Sequence, residues 1–360
     1  MKKIKITIFM YSLGGGGVQR FVMNLLNNLS LDKYEVTLAL VKKEGVHLSQ
    51  VPRKIEVVNL NSKKVHFSLL PLIKHLNKEK PDILFSIDTS INIVATIAKL
   101  ISKFKGKLII RQAVEFNEHS TSRIKLLLAK ILYPRVDKCI VLSNDMKENL
   151  INTVNLSEDK IQIIYNSIDI NNIIKKRSEA IKESIKGITS TKIIAVGRLT
   201  RQKNFLMLLE AFEIVVKQKE SILIIIGEGE EKEKLLNKAK ELGIKNKVFL
   251  LGYKDNPYKY IYNSDIFVLP SIYEGLSNAL LEALACEIPI VTTNNPDKII
   301  QDSINGFQVS LTKEALAEGI IKMLENESMR QKIISNNKKY SLKFDIDIMV
   351  KSYENLFSSL

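Results

Sequence analysis

Pro270 to Ala285 reads PSIYEGLSNALLEALA. The four residues before it, Ile266 to Leu269, are an unbroken apolar run of strand length, and the Pro-Ser pair that follows is a turn signal. Ser277 is a residue of N-cap type, with Leu280, Leu281 and Leu284 at helical spacing after it. The stretch therefore predicts strand, loop, helix. A helix starting near Ser277 leaves the backbone N–H groups from about Leu276 to Ala279 without intrahelical acceptors. Those donors and the positive end of the helix dipole suit a phosphate. Glu274 lies in the loop and Glu282 in the second helical turn, eight positions on. One carboxylate faces whatever extends beyond the phosphate, and the other reaches back past it. A nucleoside diphosphate joined to a sugar has that layout, with hydroxyls on both sides of a central pair of phosphates.

Upstream, the strand Ile193 to Val196 ends in Gly197 and Arg198, and Lys203 and Asn204 precede a helix over Phe205 to Val216. Arginine offers a planar fork of donors and lysine a compact charge, and both suit a departing diphosphate. The strand Ser221 to Ile226 runs into Gly227-Glu228-Gly229, and Val248 to Leu251 into Gly252 and Tyr253. The E-x7-E frame of Glu274 and Glu282, the wording GRLTRQKN and the run FLLGYKDNPYKY together resemble the GT4-type retaining glycosyltransferases (glycosyl transferases group 1). The resemblance extends over essentially the whole chain, and its specific part is in the second half.

The resemblance implies a GT-B fold: two Rossmann-like, doubly wound parallel-sheet α/β domains facing a cleft, with a C-terminal helix crossing back to the first. The implied boundaries are 1–166 for the acceptor domain, 167–340 for the nucleotide-sugar donor domain and 341–360 for the returning helix. Asn166 and Asp169 match two positions of the family's hinge wording. The implied catalytic residues are Arg198 and Lys203, on the diphosphate, and Glu274, by the donor sugar. Gly15, Gly16, Gly17, Gly197, Gly227, Gly252, Tyr253, Gly275, Leu276, Ser277, Asn278 and Glu282 border the donor, with Glu282 on the ribose. The wording leans toward bacterial members that extend lipid-linked oligosaccharides. The implied reaction moves a hexose or N-acetylhexosamine from a UDP-linked donor to a polyprenyl-diphosphate-linked glycan, without cofactor or metal. Asp345-Ile346-Asp347 has the D-x-D form that holds a metal in another glycosyltransferase fold, but here it opens a C-terminal helix, where a solvated face is the simpler reading. Two alternatives stay open at this point: a UDP-sugar epimerase of the same fold, and a non-catalytic nucleotide-sugar-binding paralogue.

Composition fits this reading. The 360 residues suffice for two ordinary domains, and 45% hydrophobic with 26% charged residues is a normal globular balance. Two cysteines form no framework, which suits a reducing, cytoplasmic setting, and the four histidines do not cluster at metal-ligand spacing. No signal peptide or membrane-spanning run is legible. The charge is lopsided. Residues 1–160 hold 26 Lys+Arg against 14 Asp+Glu, a net +12, while the rest hold 28 against 25, a net +3. A basic first half with the basic stretches His66 to Lys80, Lys99 to Lys107 and Arg123 to Lys138 points to the anionic inner face of the plasma membrane. No nucleic-acid motif accompanies it, so nucleic acid is not expected as a partner.

The first half opens with the strand Ile4 to Met10 and the loop Gly14 to Gly17, then Val18, Phe21, Val22, Leu25, Leu26 and Leu29 at helical spacing. It is neither the dinucleotide fingerprint nor a P-loop, because the third glycine and the Gly-Lys-Ser/Thr sequence are missing. SLGGGGVQR resembles the first loop of the GT4 family, with Arg20 kept and Gln19 in place of the usual acid. Arg111 follows the strand Leu108 to Ile110. Carboxyl ends of strands face the ligand crevice of an open α/β sheet, so Arg111, Glu115 and His119 are candidates, with Arg20, for the acceptor or the donor sugar.

Overall fold

A computed structural model describes residues 3–114, 116, 122–181, 185 and 187–360. The chain packs into two compact units, one of residues 1–166 with Ile346–Leu360 and the other Ser167–Asp345.

The first unit holds strands β1 (Ile4–Met10), β2 (Tyr34–Leu40), β3 (Glu56–Asn59), β4 (Ile83–Ile87), β5 (Lys107–Arg111), β6 (Lys138–Val141) and β7 (Ile161–Ile163). Between them run α1 (Gly17–Asn28), α2 (Leu69–Glu79), α3 (Thr89–Ile101), α4 (Arg123–Leu132) and α5 (Asn144–Val154). The strands form one parallel sheet in the order β3-β2-β1-β4-β5-β6-β7. Parallel strands need crossover helices on both faces, which is why β4, buried throughout, reads as a near-continuous apolar run rather than as an alternating one. The expected helix over His66 to Lys80 begins as a 3-10 turn, Val65–Ser68, and becomes α2 only at Leu69.

The second unit holds α6 (Ile170–Arg177), β8 (Thr191–Val196), α7 (Phe205–Gln218), β9 (Ser221–Ile226), α8 (Lys232–Glu241), β10 (Val248–Leu250) and α9 (Tyr258–Tyr262). It continues with β11 (Ile266–Leu269), α10 (Asn278–Ala285), β12 (Ile290–Thr292), β13 (Phe307–Gln308), α11 (Lys313–Glu325) and α12 (Glu327–Ser341). Its sheet is again parallel, in the order β10-β9-β8-β11-β12-β13. The chain winds outward from β8 in one direction and from β11 in the other. The strand order therefore reverses between β8 and β11, and ligands of open α/β sheets bind outside the carboxyl ends of the strands at such a reversal. In the first unit the same reversal falls between β1 and β4. The Gly14 to Gly17 loop leaves β1 at that point.

The last helix, α13 (Ile346–Ser358), belongs to the first unit although it follows the second in sequence. Met349, Val350, Tyr353, Leu356 and Phe357 join Phe21, Leu25, Phe85 and Ile109 in one buried core. Tyr353 sits within 5.5–5.8 Å, ring to ring, of Phe21, Phe85 and Phe357. The Tyr34 hydroxyl donates to the Glu354 carbonyl at 3.1 Å and lies 3.0 Å from Ser358 Oγ. No helix among the described residues is long and apolar enough to cross a membrane.

Candidate functional site

The loops after β8 and β11 leave the second sheet side by side, and the backbone ties them together. Ile272 N–H donates to the Gln202 carbonyl at 2.9 Å, and Gln202 Nε2 donates to the Tyr273 carbonyl at 3.0 Å. Lys203 and Glu274 are thereby brought into contact, Nζ to Oε1 at 2.5 Å, with side chains 12% and 8% exposed. The sequence placed both residues at one ligand but did not anticipate that they pair with each other. Ser271 Oγ donates to the same carboxylate oxygen at 2.6 Å. Arg198, at the end of β8, is exposed, and no hydrogen bond or ion pair holds its side chain among the described residues.

Three glycine turns lace the neighbouring strand ends. Gly227 N–H donates to the Gly252 carbonyl at 3.0 Å, and Gly197 N–H donates to the Ile226 carbonyl at 3.0 Å. Gly227 has φ +149°, and a Cβ there would stand 1.8 Å from the Gly197 carbonyl oxygen. Only glycine allows that approach, so the backbone at the ends of β8, β9 and β10 forms a close floor. Tyr253, next to Gly252, points its ring into solvent at 63% exposure.

The helix α10 starts at Asn278 with Ser277 in the extended N-cap conformation. Ser277 does not cap it by side chain. Its Oγ is buried without a hydrogen-bond partner, as are Asn278 Oδ1 and Thr200 Oγ1. The first intrahelical bonds are made by the N–H groups of Leu280 and Leu281, both to the Ser277 carbonyl. Leu276 is buried, Gly275 is half-buried and Glu282 is 4% exposed. Glu282 lies one turn after Asn278, on the same face of α10.

In the first unit, α1 begins at Gly17, with Gly16 at its N-cap position, and Gly15, Gly16 and Gly17 are exposed. Arg20 is half-buried in the first turn of that helix. Arg111 departs from expectation. It is 1% exposed, its guanidinium stacks 3.9 Å from the centre of the Phe21 ring, and its Nη2 donates to Asn166 Oδ1 at 2.6 Å. Burial lowers its pKa, against the pull of the neighbouring Tyr353. Arg111 is thus a packing residue between α1 and α13 rather than a group projecting from the strand end. Glu115 and His119 lie outside the described residues.

Two family models match the chain: Glycosyltransferase Family 4 over residues 15–172 and Glycosyl transferases group 1 over residues 176–340. A Campylobacter jejuni protein is 31% identical over 358 residues, covering 95% of this chain and 96% of its own. The chain belongs to the GT4-type glycosyltransferases. That relative is named an N-acetylgalactosamine-N,N'-diacetylbacillosaminyl-diphospho-undecaprenol 4-alpha-N-acetylgalactosaminyltransferase. An Escherichia coli UDP-Gal:alpha-D-GlcNAc-diphosphoundecaprenol alpha-1,3-galactosyltransferase is 26% identical, over 89% of this glycosyltransferase and 87% of its own chain. The fold is that of Anabaena HepE, solved in complex with UDP, at a TM-score of 0.86, 19% identity and coverage of 99% and 100%.

Sequence reasoning passed over Ser271, Gln202 and Thr293. Ser271 was read only as half of a turn. Its carbonyl accepts from Thr293 Oγ1 at 2.8 Å, which fixes it from the strand-end side. No local pattern signals these contacts, because 71 positions separate Gln202 from Tyr273.

Proposed function

We propose that this glycosyltransferase moves a hexose or N-acetylhexosamine from a UDP-sugar, with retention of anomeric configuration, to a polyprenyl-diphosphate-linked saccharide. The observation that carries this is the meeting of Lys203 and Glu274 at the strand-order reversal of the second sheet. A cation, a carboxylate and a helix N-terminus with buried, unpartnered Ser277 and Asn278 oxygens converge where a sugar diphosphate needs them. Leaving such atoms without partners costs about 1–3 kcal/mol each, which a bound diphosphate and its hydroxyls would offset. The names of the C. jejuni and E. coli relatives support a diphosphoundecaprenol-linked acceptor.

In the reaction the bond from the anomeric carbon to the diphosphate oxygen breaks while the acceptor oxygen bonds on the same face. The acceptor's proton passes to the leaving diphosphate. Arg198 and Lys203 stabilise the negative charge that grows there, with the N-terminus of α10. Glu274 orients the sugar, Glu282 holds the ribose, and the Gly197, Gly227 and Gly252 turns border the nucleotide. No metal is needed. UDP and a UDP-sugar should raise the melting temperature in a thermal-shift screen while GDP-sugars do not, and transfer should persist in excess chelator. A response to GDP-sugars alone would overturn the nucleotide assignment, and activity lost to chelator and restored by a divalent ion would overturn metal independence.

We also propose that the enzyme works as a peripheral protein on the cytoplasmic face of an anionic membrane. On α4, Ile124, Leu127 and Ile131 are 72%, 59% and 48% exposed, beside the exposed Arg123, Lys125 and Lys130. Apolar side chains flanked by basic ones suit the boundary between headgroups and acyl chains. Flotation with phosphatidylglycerol-containing vesicles should be strong at low salt. It should fall, without vanishing, at about 1 M salt, where the Debye length is about 3 Å. Replacing the three apolar residues by Ser should remove the salt-resistant remainder. Equal flotation with purely neutral vesicles would contradict the charge component.

A further inference from the structure

We propose that Ser271 is a positioning residue for Glu274. The inference rests on the reading that Glu274 orients the donor sugar. Ser271 is fully buried, and its Oγ donates to Glu274 Oε1 at 2.6 Å. Lys203 Nζ reaches that same oxygen, and Oε2 receives no hydrogen bond among the described residues. Two donors on one oxygen fix the plane of the carboxylate and leave the other oxygen for sugar hydroxyls.

The two donors differ in how firmly they are held. Lys203 is a flexible chain whose charge is wanted by the diphosphate. A cation that serves the diphosphate cannot keep its full interaction with Glu274. Ser271 has no such second use. Thr293 Oγ1 pins its carbonyl at 2.8 Å, and Ile272, the next residue, is tied to Gln202. When the donor draws Lys203 toward its phosphates, Ser271 remains as the holder of Oε1. It thus keeps Glu274 aimed through the reaction.

The test compares Ser271→Ala, Glu274→Ala and the double variant in the full-length protein. UDP-glucose, UDP-galactose and their two N-acetyl counterparts serve as donors, with the lipid-linked acceptor that supports fastest UDP release. Ser271→Ala removes one oxygen atom and should leave the melting temperature and the affinity for UDP alone nearly unchanged. It should lower kcat about tenfold to a hundredfold with little change in donor KM, the scale of one hydrogen bond to a charged group. In the Glu274→Ala background the same change should have no further effect, because the two residues act as one unit. Unchanged kcat in Ser271→Ala would overturn the inference. So would an equal loss in both backgrounds, or a matching loss of UDP affinity, since either would mean that Ser271 supports the loop rather than the carboxylate. Full turnover in Glu274→Ala, or no turnover with any of the four donors, would instead strike the parent reading and take this inference with it.

Discussion

Arg198→Ala should lower turnover about 100- to 1,000-fold, the loss seen when one preorganised donor to a developing negative charge is removed. The melting temperature should barely move. Arg198 is exposed and makes no side-chain bond among the described residues, and surface substitutions of that kind usually change stability by less than about 0.5 kcal/mol. Lys203→Ala should lose activity on the same scale and also melt lower. It strands the Glu274 carboxylate, 8% exposed, without its counter-charge. The contrast separates two explanations of lost activity, since under the proposed mechanism only Lys203 serves both the resting structure and the leaving group. Arg198→Lys should recover only part of the loss, because an ammonium cannot reproduce a two-pronged contact with phosphate oxygens. Steady-state turnover, calorimetric UDP affinity and thermal melts on the three variants check this. Near-wild-type turnover in Arg198→Ala would remove it from the reaction.

Why the second unit was so readable follows from where its information is local. Ile193 to Val196, Ser221 to Ile226 and Ile266 to Leu269 are apolar runs because both faces of a parallel strand are covered. Each ends in a glycine or Pro-Ser signal, so the strand ends, and with them the ligand side of the sheet, can be placed from sequence. The start of α10 was legible from Ser277 for the same reason, although Ser277 turns out to leave its hydroxyl unpaired rather than capping the helix. What sequence did not carry is pairing between loops. The Lys203–Glu274 ion pair depends on β8 and β11 being neighbours, and nothing in either loop states who its neighbour is.

The burial of Arg111 has a more instructive cause. Its place at the end of β5 was read as facing ligand, but a strand alternates its side chains between two faces. Arg111 shares a face with Ile109, two residues earlier, and Ile109 packs in the core that α1 and α13 complete. The partners that claim Arg111 come from residues 21, 166 and 353. The strand itself gives no hint that a helix from the far end of the chain will cover it. The periodicity was sufficient to assign the face, and the missing piece was α13.

Tyr353→Ala should accordingly be the most damaging single change outside the site. Tyr353 is fully buried, in ring contact with Phe21, Phe85 and Phe357. Burial pushes its hydroxyl pKa up to about 12, against the downward pull of Arg111. Truncating a large buried aromatic costs about 3–5 kcal/mol, a transfer loss plus the cavity it leaves. Here the cavity also opens beside a buried guanidinium, so water or strain must enter where the ring was. Against a typical total of about 5–15 kcal/mol, that is a large share of a domain's stability. Tyr353→Phe keeps the ring and removes only the hydroxyl that faces the Arg111 guanidinium, so it should cost less than the alanine variant, about 1–3 kcal/mol. Because α13 belongs to the first unit and the proposed nucleotide residues to the second, the damage should be confined. In urea, the transition that UDP does not stabilise should shift to lower denaturant in Tyr353→Ala, while the UDP-sensitive transition stays in place. Equal shifts in both transitions, or none in either, would mean that α13 is not an integral part of the first unit's core.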